Sequence, residues 1–234
     1  EALQVYDDGT GPALYAAGWF STADGELTRR VAEWDGSAWT PLVGFGSPLD
    51  PYFFAAFALT VFDNGNGPAL YAGGWFAIPG VSSINIAKWK GSSWSQVGGG
   101  GGMDRIVRAL AVYDDGSGPA LYAGGQFSTA GGAPAVAIAK LTPPSWSPLG
   151  SGVDSDVYAL AVYDDGTGPA LHVGGRFFHA GGMAEAACCA IDGSGDFVCV
   201  SVAHGHGSDL DVVDRTYFPH SLGILYLAIT QLVT

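Results

Sequence analysis

Positive charge is scarce in this sequence. Lys and Arg total 9 of 234 residues against 22 Asp and Glu, a formal net charge of −13. Phosphate backbones are gripped by cations that release counterions, so a nucleic acid is not an expected partner. Long apolar runs are missing too. The longest, Leu222 to Val233, is shorter than the roughly 20 residues of a bilayer span and reads as a strand. No segment shows the helical period of apolar residues. No basic stretch followed by an apolar run opens the sequence, so an export signal is expected to have been removed or never to have existed. Catalytic signatures are lacking as well: there is no HExxH helix and no GxSxG elbow. The run Gly98 to Gly102 is not followed by the Lys-Ser/Thr of a phosphate loop, and reads as a flexible linker.

What is present is enough apolar material for a core. Hydrophobic residues make up 48% of the chain, and a domain of this length buries about 70% of its unfolded surface. Residues 1–234 are expected to form one domain or one closed repeat array.

The chain repeats itself. VYDDGTGPALYAAGWF from Val5 returns as VFDNGNGPALYAGGWF from Val61, VYDDGSGPALYAGGQF from Val112 and VYDDGTGPALHVGGRF from Val162. A second block follows: VAEWDGSAWTPL from Val31, IAKWKGSSWSQV from Ile86 and IAKLTPPSWSPL from Ile138. Its fourth copy, from Cys188, is degraded, with Ile191 and Phe197 where earlier copies carry tryptophans. Each unit reads as four short strands between Gly, Pro and Asp turns. In the third unit these are Val107–Tyr113, Ala120–Gly124, Ala137–Leu141 and Trp146–Leu149. Asp-Gly and Asn-Gly supply tight hairpins, and the following proline starts a strand without having to donate a hydrogen bond. The glycine pair is expected to end the second strand where a side chain would strike a neighbouring backbone.

A four-stranded meander cannot bury both faces alone, so units are expected to stack radially as blades. The fold class is therefore all-β, a β-propeller of four-stranded antiparallel blades. Blades are expected at 1–44, 55–98, 106–150 and 157–202. A partial fifth at 211–234 makes about five blades, the last incomplete. All 3 Cys and all 5 His lie at or after His172, so the tail is either a diverged closing segment or the product of an altered reading frame. An incomplete last blade would leave an edge for homo-association.

The elements LYAGG, IAKW and SSWS resemble the kelch repeat, and ALYAGGQFSTAGG followed by IAKW is similar to bacterial delta-60-type extracellular propeller repeats. That resemblance implies an extracellular or cell-surface location.

In such a blade the two-to-three and four-to-one connections share one face, on which binding is expected. The slot before each recurring phenylalanine holds Trp19, Trp75, Gln126 and Arg176, with Arg29, Arg30, Arg105 and Arg108 nearby. Trp19, Trp75, Gln126, Arg176 and Arg105 are the candidate ligand contacts, because aromatic planes beside polar groups suit a sugar or peptide. The competing reading seals the two indoles between blades. On the opposite face DDGTGP lacks the spacing of a calcium loop, and its acids read as turn formers. His204, His206, His179 and Asp209 are the residues from which a metal site could be drawn, though isolated histidines are ordinarily surface residues. Kelch-like rings include copper-radical oxidases, but no matching tyrosine, cysteine and histidine constellation is present. Cys189 and Cys199 are equidistant from Ser194, so a hairpin sets them opposite one another as a candidate disulfide, with Cys188 on the other face. No cofactor is expected. The sequence points to a non-catalytic extracellular module presenting its loop face to a protein or glycan. The alternative is a carbohydrate-active enzyme or a lectin using loop-face Trp and Asp residues such as Asp50, Asp104 and Asp154.

Overall fold

The computed structural model describes residues 1–28, 30–42, 55–164, 168–181, 183–184, 186–191 and 197–201, with side-chain detail ending at 181. The expected fifth blade at 211–234 lies outside the described residues. Those described are all β, with no helix. Four antiparallel four-stranded sheets follow one another along the chain, each a simple meander.

Sheet I contains β1 (Ala2–Asp7), β2 (Pro12–Ala17), β5 (Val31–Trp34) and β6 (Trp39–Pro41), with a hairpin of β3 (Thr22–Ala23) and β4 (Glu26–Leu27) between β2 and β5. Sheet II contains β7 (Ala55–Asp63), β8 (Pro68–Ala77), β9 (Ile84–Trp89) and β10 (Trp94–Ser95). Sheet III contains β11 (Val107–Asp114), β12 (Pro119–Gly125), β15 (Ile138–Thr142) and β16 (Ser145–Pro148), with β13 (Thr129–Ala130) and β14 (Ala133–Pro134) as its small hairpin. Sheet IV contains β17 (Val157–Asp164), β18 (Pro169–Gly175), β21 (Ala186–Ile191) and β22 (Phe197–Ser201), with β19 (His179–Ala180) and β20 (Met183–Ala184) between. The strands of the third unit match the sequence reading to within a residue. The small hairpins were not anticipated, and β8 runs on through its glycine pair to Ala77 instead of stopping there.

The first strands of sheets II and III are apolar on both faces because both faces are covered. In sheet II, Leu59, Leu70, Ala72 and Trp89 pack on Tyr6, Ala13, Tyr15 and Ala17 of sheet I. Phe62, Tyr71 and Ile86 on its other face meet Val107, Leu121, Leu141 and Trp146 of sheet III. Tyr113, Tyr122 and Ile138 of sheet III then meet Val157, Leu171 and Val173 of sheet IV. One hydrogen bond recurs across these interfaces: Tyr6 Oη donates to the Pro68 carbonyl at 3.1 Å, and Tyr113 Oη to that of Pro169 at 2.9 Å. Phe62 holds the same place in sheet II and has no hydroxyl to offer. Among the described residues nothing covers the leading face of sheet I: Leu3 is 68% exposed and Val5 58%, whereas Leu59 in the equivalent column of sheet II is 8% exposed.

The glycine pair has two distinct tasks. A Cβ on the second glycine would strike backbone of its own sheet, as at Gly125, 2.0 Å from the Ile106 carbonyl oxygen. It sits opposite the bulge where the register shifts between Val107 and Ala109. The first glycine faces the next sheet instead: a Cβ on Gly73 would lie 2.6 Å from Val107 Cγ1. In sheet I that position is Ala17, and the facing residue of sheet II is the smaller Ala56, packed in the same cluster.

The run Gly98 to Gly102 is not the flexible linker its composition suggests. Gly101 and Met103 bond Ile84 of sheet II, Gly102 accepts from the Gly131 amide at 2.7 Å, and Gly99 donates to the Pro144 carbonyl at 2.9 Å. The segment thus fastens sheet II to sheet III. Glycine is required because a Cβ on Gly100 would lie 2.3 Å from the Gly131 carbonyl oxygen.

Candidate functional site

The slot before the recurring phenylalanine keeps its place opposite the first strand in sheets II, III and IV. Gln126 N donates to the Ile106 carbonyl and Arg176 N to that of Asp156, each at 2.9 Å. Trp75 pairs in register with Ala55. Trp19 is 51% exposed and Trp75 39%, so neither indole is sealed between sheets. Gln126, by contrast, is engaged: its Nε2 donates to Asp156 Oδ2 at 2.8 Å. Arg105 and Arg176 are exposed. The Arg30 guanidinium holds the Trp19 carbonyl. Arg29 and Asp50 lie outside the described residues.

Beside this slot runs an arc that crosses all four sheets. The Trp19 ring meets Phe57 edge-on at 5.7 Å between centroids. The Arg108 guanidinium carbon stands 5.3 Å from the Phe57 centroid and 5.4 Å from that of Tyr158. A cation over an aromatic face within about 6 Å is attracted by the ring quadrupole. Tyr158 Oη in turn donates to Asp156 Oδ2 at 3.3 Å, joining the arc to Gln126. Arg108 makes no hydrogen bond with any described residue, and its buried Nε is unpartnered. Phe57, Arg108 and Tyr158 occupy one column of the repeat, the second residue of the bulged segment of each first strand. Phe57 and Tyr158 escaped the sequence reading. Their signal was a column that changes residue type freely between columns that do not.

Two acids of the four-to-one connections, Asp104 and Asp154, are hydrogen-bonded to the loop that follows the second strand of their own sheet. Asp104 accepts from the amides of Ser128 and Thr129 at 2.8 Å each and from Ser128 Oγ at 2.6 Å. Asp154 accepts from the amides of Phe178 and His179 and lies 2.6 Å from His179 Nδ1. Partial burial alone would raise both carboxyls, but the donors outweigh it and hold each below the usual carboxylate range. His179 thus belongs to a hydrogen bond that shapes its own loop. His204, His206 and Asp209 lie outside the described residues, among which no group of His, Cys, Asp and Glu is gathered to hold a metal.

On the opposite face the acids serve the turns. Asp7 Oδ1 accepts from Gly9 and Gly11, and Asp114 Oδ1 from Gly116 and Gly118. In sheet IV the backbone register sets Cys189 opposite Cys199 and Cys188 opposite Val200. Directly opposed antiparallel residues have Cα atoms about 4.5–5.5 Å apart, within the about 4.4–6.8 Å that a disulfide spans. Protein made in an oxidising compartment is expected to carry a Cys189–Cys199 bridge with Cys188 free. Non-reducing peptide mass mapping checks this, and three free thiols would remove it.

No protein-family model, curated protein or solved structure matches the chain.

Proposed function

We propose that the four sheets are successive blades of an extracellular, kelch-like β-propeller. Its function is to bind a glycan, without catalysis, on the face bearing the two-to-three and four-to-one loops. The observation that carries the reading is the arc of Trp19, Phe57, Arg108 and Tyr158. It combines apolar planes, on which sugar rings stack, with a guanidinium whose donors are not spent on the described protein. Three interfaces of one recurring pattern support the radial arrangement. A glycosidase reading needs one loop-face carboxyl held protonated, and Asp104 and Asp154 are held the opposite way.

Because Trp19 is half exposed at the head of the arc, Trp19→Ala is expected to change unfolding stability by about 1 kcal/mol or less while weakening ligand capture on a glycan array at least several-fold. Buried-core truncations cost about 3–5 kcal/mol. A loss of that size with unchanged array binding would return the indole to a packing role and end the proposal. Capture of peptides in place of glycans on a matched array would transfer the face to a protein partner.

A further inference from the structure

The repeat supplies its own controls. In sheet III, Lys140 is paired in register with Tyr122, and both reach the turn residue Asp115. Asp115 Oδ2 accepts from Lys140 Nζ at 2.5 Å and from Tyr122 Oη at 3.1 Å, while Oδ1 accepts from the Ser117 amide. One carboxylate thus satisfies an ammonium, a phenol and a turn.

Sheet II keeps the donors and changes the acceptor. Lys88 is paired in register with Tyr71, but the turn residue is Asn64. Asn64 Oδ1 accepts from the Asn66 amide, as Asp115 Oδ1 does from Ser117. The other arm of Asn64 is then an NH2 group, so a donor stands where sheet III has its acceptor. Neither Lys88 Nζ nor Tyr71 Oη has a hydrogen-bond partner among the described residues. Tyr71 is only 1% exposed, and both residues line a half-open cavity of about 350 Å³ between sheets II and III. Burial first, then the Asp63 carboxylate, pushes the Tyr71 hydroxyl up to about 12, so it remains a donor at neutral pH. Lys90 reaches the Asn66 carbonyl, so two of the chain's three lysines stand at this spot on an otherwise acidic protein.

We propose that this cavity binds a hexuronate, whose carboxylate takes from Lys88 and Tyr71 the place that Asp115 takes from Lys140 and Tyr122. The remaining wall fits a sugar. Asn64, Asn66 and Gln96 offer amides, each both donor and acceptor, which pair with hydroxyls, and Pro143 and Pro144 give an apolar side. The volume lies at the lower end of the about 300–1,000 Å³ of small-molecule sites. This site is separate from the loop-face arc and stands without it.

The test is an NMR titration of the whole chain with sodium glucuronate, with glucose as the neutral control. Resonances of Lys88 and Gly99 are expected to shift with glucuronate, and glucose should bind about ten-fold or more weakly, since a charge-assisted hydrogen bond is worth about 1.5–3 kcal/mol. Asn64→Asp rebuilds the turn of sheet III within sheet II, so it should fold normally, engage Lys88 and Tyr71 internally, and cut glucuronate affinity about ten-fold or more. Lys88→Met, which keeps the stem and removes the charge, should do the same. Trp19→Ala should leave this titration unchanged. Equal binding of glucose, unaltered affinity in Asn64→Asp, or loss through Trp19→Ala alone would each overturn the assignment.

Discussion

Gly125→Ala is expected to destabilise the protein by more than about 3 kcal/mol. The added methyl would sit 2.0 Å from the Ile106 carbonyl oxygen and 3.0 Å from the Val107 Cα. Both are backbone, so no change of rotamer makes room. Relief requires drawing β11 away from β12 at its bulge, which would loosen Val107 in the core between sheets II and III. Overpacking a core with movable side chains costs about 1–3 kcal/mol. Here the obstacle is the chain itself, and the cost should exceed that range, a large part of the about 5–15 kcal/mol that holds a domain folded. Gly116→Ala is the control: its φ is +95° with nothing within 4 Å, so only the left-handed conformation resists, at about 1 kcal/mol. Urea denaturation followed by tryptophan fluorescence compares the two. Equal midpoints would show that the backbone relaxes around the added methyl at little cost.

The pair Gly73 and Val107 should show strong coupling. Gly73→Ala brings a methyl to 2.6 Å from Val107 Cγ1 and should cost about 2–3 kcal/mol. Val107→Ala empties part of a fully buried position and should cost about 2 kcal/mol. The double variant reproduces the Ala17 and Ala56 arrangement already present between sheets I and II. It should lose at least about 2 kcal/mol less than the two singles summed, within the range of contacting residues. Additivity to within about 0.5 kcal/mol would mean that the two sites relax independently and that the volume match is coincidental.

What could be read from residues alone follows from the range of the physics. Asp7 and Asp114 act on amides two and four positions away, so their turns were visible locally, and so were the strands between them. β13 and β14, two residues each, are too short to display any period. Gly98 to Gly102 was misjudged because lacking a Cβ serves freedom and close contact alike, and only the neighbours, Ile84 and Gly131, decide which. The loop-face slot was legible as a recurring position. The stacking of Arg108 between Phe57 and Tyr158 was not, since those rings lie about fifty residues away on either side and meet only when the sheets do. Lys88 became informative only once Lys140 was seen to have a carboxylate where Lys88 has an amide.

The matched columns at the sheet interfaces bear on how such a chain grows. Each unit carries both halves of its contact, one for the sheet before and one for the sheet after, so a tandem duplication creates a new junction that already fits. Drift afterwards is another matter. A methyl gained by one copy at its first glycine is tolerated only if the next copy has given up bulk at the facing position, as Ala17 and Ala56 show. Copies of this repeat are therefore free to diverge at their rims, while at their junctions they inherit substitutions in pairs.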